Sequence, residues 1–137
     1  MLLHYVLIGL GGAVGAIARV ALGKILPTAI AGIPTYILLI NIIGCFLMGI
    51  ITEILALHGS SSAVNIRYFL VSGFLGGFTT FSSFSLGTLV LLQKGQLLAP
   101  MMNVILSVFG CLIATTVGIW LVRFTNLSTQ ETENRRM

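Results

Sequence analysis

Four apolar stretches, at about 3–25, 35–57, 68–92 and 100–123, constrain this chain more than anything else in it. Each supplies the roughly 20 residues a helix needs to cross a hydrocarbon layer ~30 Å thick. Between them lie "PTAIAGIP", "HGSSSAVNIR" and "QKGQLLA", short connections that carry turn residues. Pro27, Pro34 and Pro100 fall at span boundaries, where a missing amide does least harm. The expected fold is therefore an all-α membrane protein, with four transmembrane helices in one domain, 1–124, and sequential neighbours antiparallel. Residues 125–137, "TNLSTQETENRRM", read as a polar, disordered tail.

A water-soluble alternative fails on charge. Only 7% of the 137 residues are charged, whereas a soluble domain needs roughly 25% to face water on all sides. The net charge of +4 comes from basic residues scattered over spans and loops, so it forms no patch for nucleic acid. Cys45 and Cys111 both fall inside spans and have no metal-ligand spacing, so they read as small packing residues. Ala16-Ile17-Ala18 imitates a signal-peptide cleavage site, but no basic residue precedes the apolar run and Arg19 follows at once. The first stretch is expected to be a permanent span.

Orientation depends on the lysine and arginine bias between the two sides. Four spans put Arg67 and Arg123 on one side, with Arg135 and Arg136 farther out on the tail. Lys24 and Lys94 lie on the other, with Arg19 buried toward it. The near balance gives the insertion machinery little to choose by. Two copies inserted in opposite senses could then pair about a two-fold axis in the membrane plane.

The stretch "GLGGAVGAIAR" imitates a nucleotide loop, but Val14 occupies the third glycine position and no strand precedes it. Gly11 and Gly15 instead form a small-residue face for close helix approach, a role that also suits Gly44, Gly110 and Gly118.

Polar groups inside a bilayer must face the bundle interior, a partner or water. Asn41 lies in the second span. Asn103, Ser107, Cys111 and Thr115 recur every four residues in the fourth, and each step turns the stripe by about 40°. Such a graded stripe reads as a lining. Arg19, the only basic residue well inside a span, reads as an interfacial anchor or as a vestibule cation that concentrates anions. Glu53 is the one carboxylate near a span, and none sits at mid-depth.

The third span contains "FLGGFTTFSSFS". Phe78, Phe81 and Phe84 recur every third residue and predict a ridge. Gly76, Gly77, Thr79 and Thr80 are weak helix formers at the span midpoint, so a broken helix is expected there. Freed carbonyls are hard ligands for a small cation. Phenylalanine edges carry partial positive charge and can face an anion.

The segment "GGFTTFSSFS", with "GAIAR" in the first span and "NIIGCFLMG" in the second, closely resembles the CrcB/Fluc family of bacterial fluoride channels. The resemblance covers nearly the whole membrane region. It implies a passive fluoride channel, not an enzyme, that relieves fluoride toxicity from the bacterial plasma (inner) membrane. It further implies an antiparallel, dual-topology homodimer with two fluoride pathways and a structural sodium ion at the dimer centre. On the matching positions, Phe81 and Phe84 resemble the phenylalanines lining the fluoride path, and Asn41 the asparagine supporting it. Gly76 and Thr79 match the positions whose carbonyls hold sodium, and Arg19 the vestibule arginine. Ser107, Cys111 and Thr115 fall on the family's polar track. Two departures stand out: Cys111 where serine is typical, and Gly87 where many members carry glutamate.

Two rivals differ in class. A small four-span exporter of cationic compounds needs a membrane carboxylate for proton exchange, and none is present at mid-depth. A non-conducting membrane subunit explains the glycines but not the phenylalanine and hydroxyl pattern. A heterodimer with a similar chain is a third arrangement.

Overall fold

The computed structural model describes residues 1–30, 32–57 and 61–134. Residues 58–60 of the second connection and 135–137 of the tail lie outside them. Among the described residues, four helices are long and apolar enough to cross a membrane. The first is α1, Leu2–Gly23, and the second α2, Thr35–Leu57. The third is composite: α3 (Ser61–Ile66), a π-helical segment (Arg67–Leu75), α4 (Gly76–Phe78) and α5 (Phe81–Gln93). The fourth, α6, runs from Leu98 to Asn134.

The fourth helix overruns the span expected at 100–123. It starts early because Pro100 sits in its first turn, where no intrahelical amide is needed. It ends late because "TNLSTQETEN" contains neither glycine nor proline to stop it, so the segment read as a disordered tail is helical as far as Asn134.

Packing is closest between non-consecutive helices. A Cβ on Gly11 would strike the Phe69 carbonyl, and one on Gly15 the Phe74 carbonyl. Only glycine lets α1 and the third span approach backbone to backbone. The expected small-residue face is thus present, and both glycines are buried. The wide π-helical turns of the third span supply the opposing surface. The paired positions rise together, Gly11 with Phe69 and Phe74, then Gly15 with Phe74 and Phe78, so these two helices run parallel.

The same holds for α2 and α6. A Cβ on Gly49 would meet the Thr115 carbonyl and one on Gly118 the Phe46 carbonyl. Thr115 bonds to Cys45 and Arg123 to Glu53, and both pairs are 70 residues apart in sequence. A constant offset is the mark of a parallel pair. The third span and α2 run antiparallel, as expected for sequential spans, with Thr80 beside Asn41 and Phe78 beside Gly44.

Candidate functional site

The third span breaks at Thr79 and Thr80. Both take extended conformations, with φ/ψ of −79/157° and −152/109°. Gly76 and Gly77, which the sequence also marks as breakers, stay helical. Gly77 is needed for packing instead, because a Cβ there would strike the Gly12 carbonyl.

Asn41 holds the break open. Its Oδ1 accepts from the Thr80 amide at 2.8 Å, and its Nδ2 donates to the Thr80 carbonyl at 3.2 Å. An asparagine carboxamide reproduces the donor and acceptor of a peptide, so it satisfies an extended residue inside hydrocarbon. In a continuous helix the Thr80 amide would bond to the Gly76 carbonyl. Here it is spent on Asn41. Likewise the Ser83 amide, the ordinary partner of the Thr79 carbonyl, donates to Thr80 Oγ1 at 3.2 Å and so caps α5.

A cavity of about 360 Å³ opens beside the break. Asn41, Thr79, Phe81, Phe84, Ser107 and Cys111 line it, with Cys45, Thr80, Val108 and Leu112. The Phe81 and Phe84 rings lie 5.3 Å apart, inclined at 53°. Phe84 is buried, whereas Phe81 is 78% exposed. The threefold phenylalanine ridge does not persist through the break. Phe78 is buried and stacks on Phe74 at 5.7 Å, because two extended residues reset the helical phase before Phe81.

The polar stripe of α6 contributes only its middle to the cavity wall. Asn103 donates to Thr88 Oγ1 at 2.8 Å, and Thr88 in turn donates to the Phe84 carbonyl at 2.8 Å. Thr115 Oγ1 lies 3.1 Å from the carbonyls of both Cys45 and Cys111. A drift of about 40° per step carries both ends of the stripe away from the face that Ser107 and Cys111 share. Ser107 Oγ is buried in the wall with no hydrogen-bond partner among the described residues. Such a group costs ~1–3 kcal/mol if nothing ever satisfies it.

Arg19 does not reach this cavity. Its Nε donates to the Gly77 carbonyl at 3.2 Å, one residue past Gly76. It lines a second cavity of about 390 Å³ with Lys24, Thr28, Tyr36 and Ser83. Thr80 belongs to the first cavity and Ser83 to the second, and their hydroxyls are hydrogen-bonded at 3.1 Å. Glu53 lies apart from both. It receives Arg123 Nε at 2.8 Å and Nη2 at 3.3 Å, a bidentate ion pair near the end of α2. Gly87 packs toward Pro34.

Sequence reasoning missed four wall residues, of which Val108 and Leu112 are apolar and carry no signal. Thr80 had a local signal, a threonine three residues before serine at a helix start. Cys45 had none, because only its contact across to α6 distinguishes it from a packing residue.

Residues 6–119 match the family model described as CrcB-like protein, Camphor Resistance (CrcB). The chain is similar to proteins named fluoride-specific ion channel FluC from several bacteria. That of Francisella tularensis subsp. tularensis is 43% identical over 119 residues, covering 85% of this chain and 92% of the relative. That of Chelativorans sp. is 44% identical over 124 residues, covering 88% and 96%. That of Geobacter sulfurreducens is 43% identical over 113 residues, covering 82% and 90%. The matched span includes every residue of the break and of the cavity beside it, and the chain belongs to the CrcB family of membrane proteins.

Proposed function

We propose that this chain is a passive fluoride channel of the bacterial plasma membrane, working as an antiparallel homodimer of two copies inserted in opposite senses. Support comes first from the relatives, which are named fluoride-specific channels and align over most of both chains. The observation that carries the reading within this chain is the buried, unpartnered Ser107 hydroxyl, set in a cavity wall beside Phe81, Phe84 and Asn41. A donor left without a protein partner beside positively polarised ring edges suits a small anion in transit.

Fluoride holds its hydration shell strongly, so the wall must replace water in steps without binding too tightly to release. Arg19 and Lys24 raise the anion concentration in the outer cavity. Ser83 and Thr80 lead inward from there, and Phe81, Phe84, Ser107 and Cys111 form the inner wall. Thr115 acts on that wall through the Cys45 and Cys111 carbonyls that its hydroxyl holds. The cavity is open at Phe81, whose 78% exposure suits cover by a second copy.

The carbonyls of Gly76 and Thr79 suit a structural sodium ion at the dimer centre. Their ordinary helical donors are diverted to Asn41 and Thr80, which fits hard oxygen ligands turned toward a small cation. The ion would supply positive charge that ties the two copies together at the break.

The test is reconstitution into potassium-fluoride-loaded liposomes, with an electrode following fluoride release after valinomycin. The expected result is release that depends on protein. Phe81→Ile and Phe84→Ile are each expected to abolish it while the dimer persists on a sizing column. Undiminished release from both variants would remove the rings from the mechanism. No release from intact protein would favour a non-conducting subunit.

A further inference from the structure

Cys45 and Cys111 are the chain's only cysteines, and both face the cavity beside the break. They come from different helices, α2 and α6, held in fixed parallel register. One hydroxyl, Thr115 Oγ1, lies 3.1 Å from the carbonyl of each. Gly49 and Gly118 bring the two backbones into contact just beyond. The two cysteines line one cavity wall from adjacent helices, and both are free and partly accessible.

This pair has a definite ligand chemistry. Among the described residues no third histidine, cysteine, aspartate or glutamate joins it. Zinc, which needs four ligands in a structural site, is therefore poorly matched. Two sulfurs alone suit a soft ion content with linear, two-coordinate binding. Charge narrows the choice further. A divalent ion that displaces one proton from each thiol leaves a neutral bis-thiolate, with no uncompensated charge in a water-poor wall. A monovalent ion bound by two thiolates would leave a net negative charge there.

We propose that Cys45 and Cys111 form a two-coordinate site for soft divalent metal of the mercury(II) class, and that occupying it closes the cavity. Binding from mercury(II) chloride breaks two S–H and two mercury–chloride bonds, forms two mercury–sulfur bonds and releases two protons and two chlorides, with no change of oxidation state. The site stands on the shared cavity wall and on the backbone proximity that Thr115 marks. Only the closure rests on the fluoride-pathway reading, because the metal would sit in the same wall as Ser107 and Phe84.

Mercury(II) chloride is titrated into the purified full-length protein in detergent, following proton release and intact mass. One mercury per chain and two protons per mercury are expected. Cys45→Ala and Cys111→Ala should each give up the metal to about 100-fold less competing monothiol, the loss expected when a paired attachment becomes single. Retention as tight in either variant overturns the paired site, as does intact wild type binding two metals independently.

Release from loaded liposomes is then measured with and without mercury, each protein compared with its own metal-free rate. Wild-type release should fall to background and return with dithiothreitol, whereas each variant, at the monothiol concentration that strips its metal but not that of the wild type, should keep most of its own rate. Wild-type release that continues with metal bound overturns the closure. Absence of release before metal is added would instead defeat the channel reading, and the titration would still decide the site.

Discussion

Asn41 concentrates the chemistry of the break in one side chain. It supplies both hydrogen bonds that a peptide at Thr80 would otherwise lack at membrane depth. Asn41→Leu leaves the buried Thr80 amide and carbonyl unsatisfied, at ~1–3 kcal/mol for each group. The variant should lose fluoride release and lower its thermal midpoint on a sizing column, and an unchanged midpoint would count against the brace. Asn41→Asp keeps the acceptor and removes the donor, so its midpoint should fall between the two. Ser107 makes the opposite prediction. Because its hydroxyl has no protein partner among the described residues, Ser107→Ala should leave the midpoint unchanged or raise it slightly. Its fluoride release should nonetheless drop. Equal loss of both quantities would mean that Ser107 is structural.

At the scale of elements, two parallel helix pairs carry the architecture, and glycine sets their spacing. Gly15 allows α1 to touch the third span, while Gly9 on the same helix has nothing within 4 Å of a built Cβ. Gly15→Ala should therefore cost ~1–3 kcal/mol as overpacking. Gly9→Ala should be neutral or slightly stabilising, because alanine favours helix. The comparison is read as the temperature at which half of the monodisperse peak is lost, and equal values would disprove the close contact. The four-span pattern and the small-residue face were legible in the sequence because hydropathy and spacing are local properties. The π-helical stretch was not. Its sequence, "RYFLVSGFL", has no breaker before Gly73, and its widened turns follow from where α1 presses against it. The position of the break was only half legible. Weak helix formers mark a zone from Gly76 to Thr80, and a bond from another helix selects the last two of them.

For the whole molecule, the lysine and arginine balance and the exposure of Phe81 support one prediction. A tag added after residue 137 should be accessible from both faces of sealed inner-membrane vesicles, in similar amounts. Accessibility from a single face would exclude dual topology. The Glu53–Arg123 pair bears on the same scale. It ties the C-terminal end of α2 to α6 and occupies the one carboxylate near a span that a proton-coupled exporter could have used.

Membrane residence, span number and family membership followed from sequence alone, because the length of an apolar run and a ten-residue motif do not depend on distant contacts. Which polar groups meet was decided by tertiary structure. Asn41 and Thr80 are 39 residues apart, and Thr115 and Cys45 are 70 apart. Helical phase also had to be fixed in space: two extended residues sent Phe78 into the core and Phe81 to the open edge. The drift of α6 left Ser107 and Cys111 on the cavity while Asn103 and Thr115 turned to other bonds. A repeat counted along the chain gives an angle on one helix, and only packing determines what stands opposite that angle.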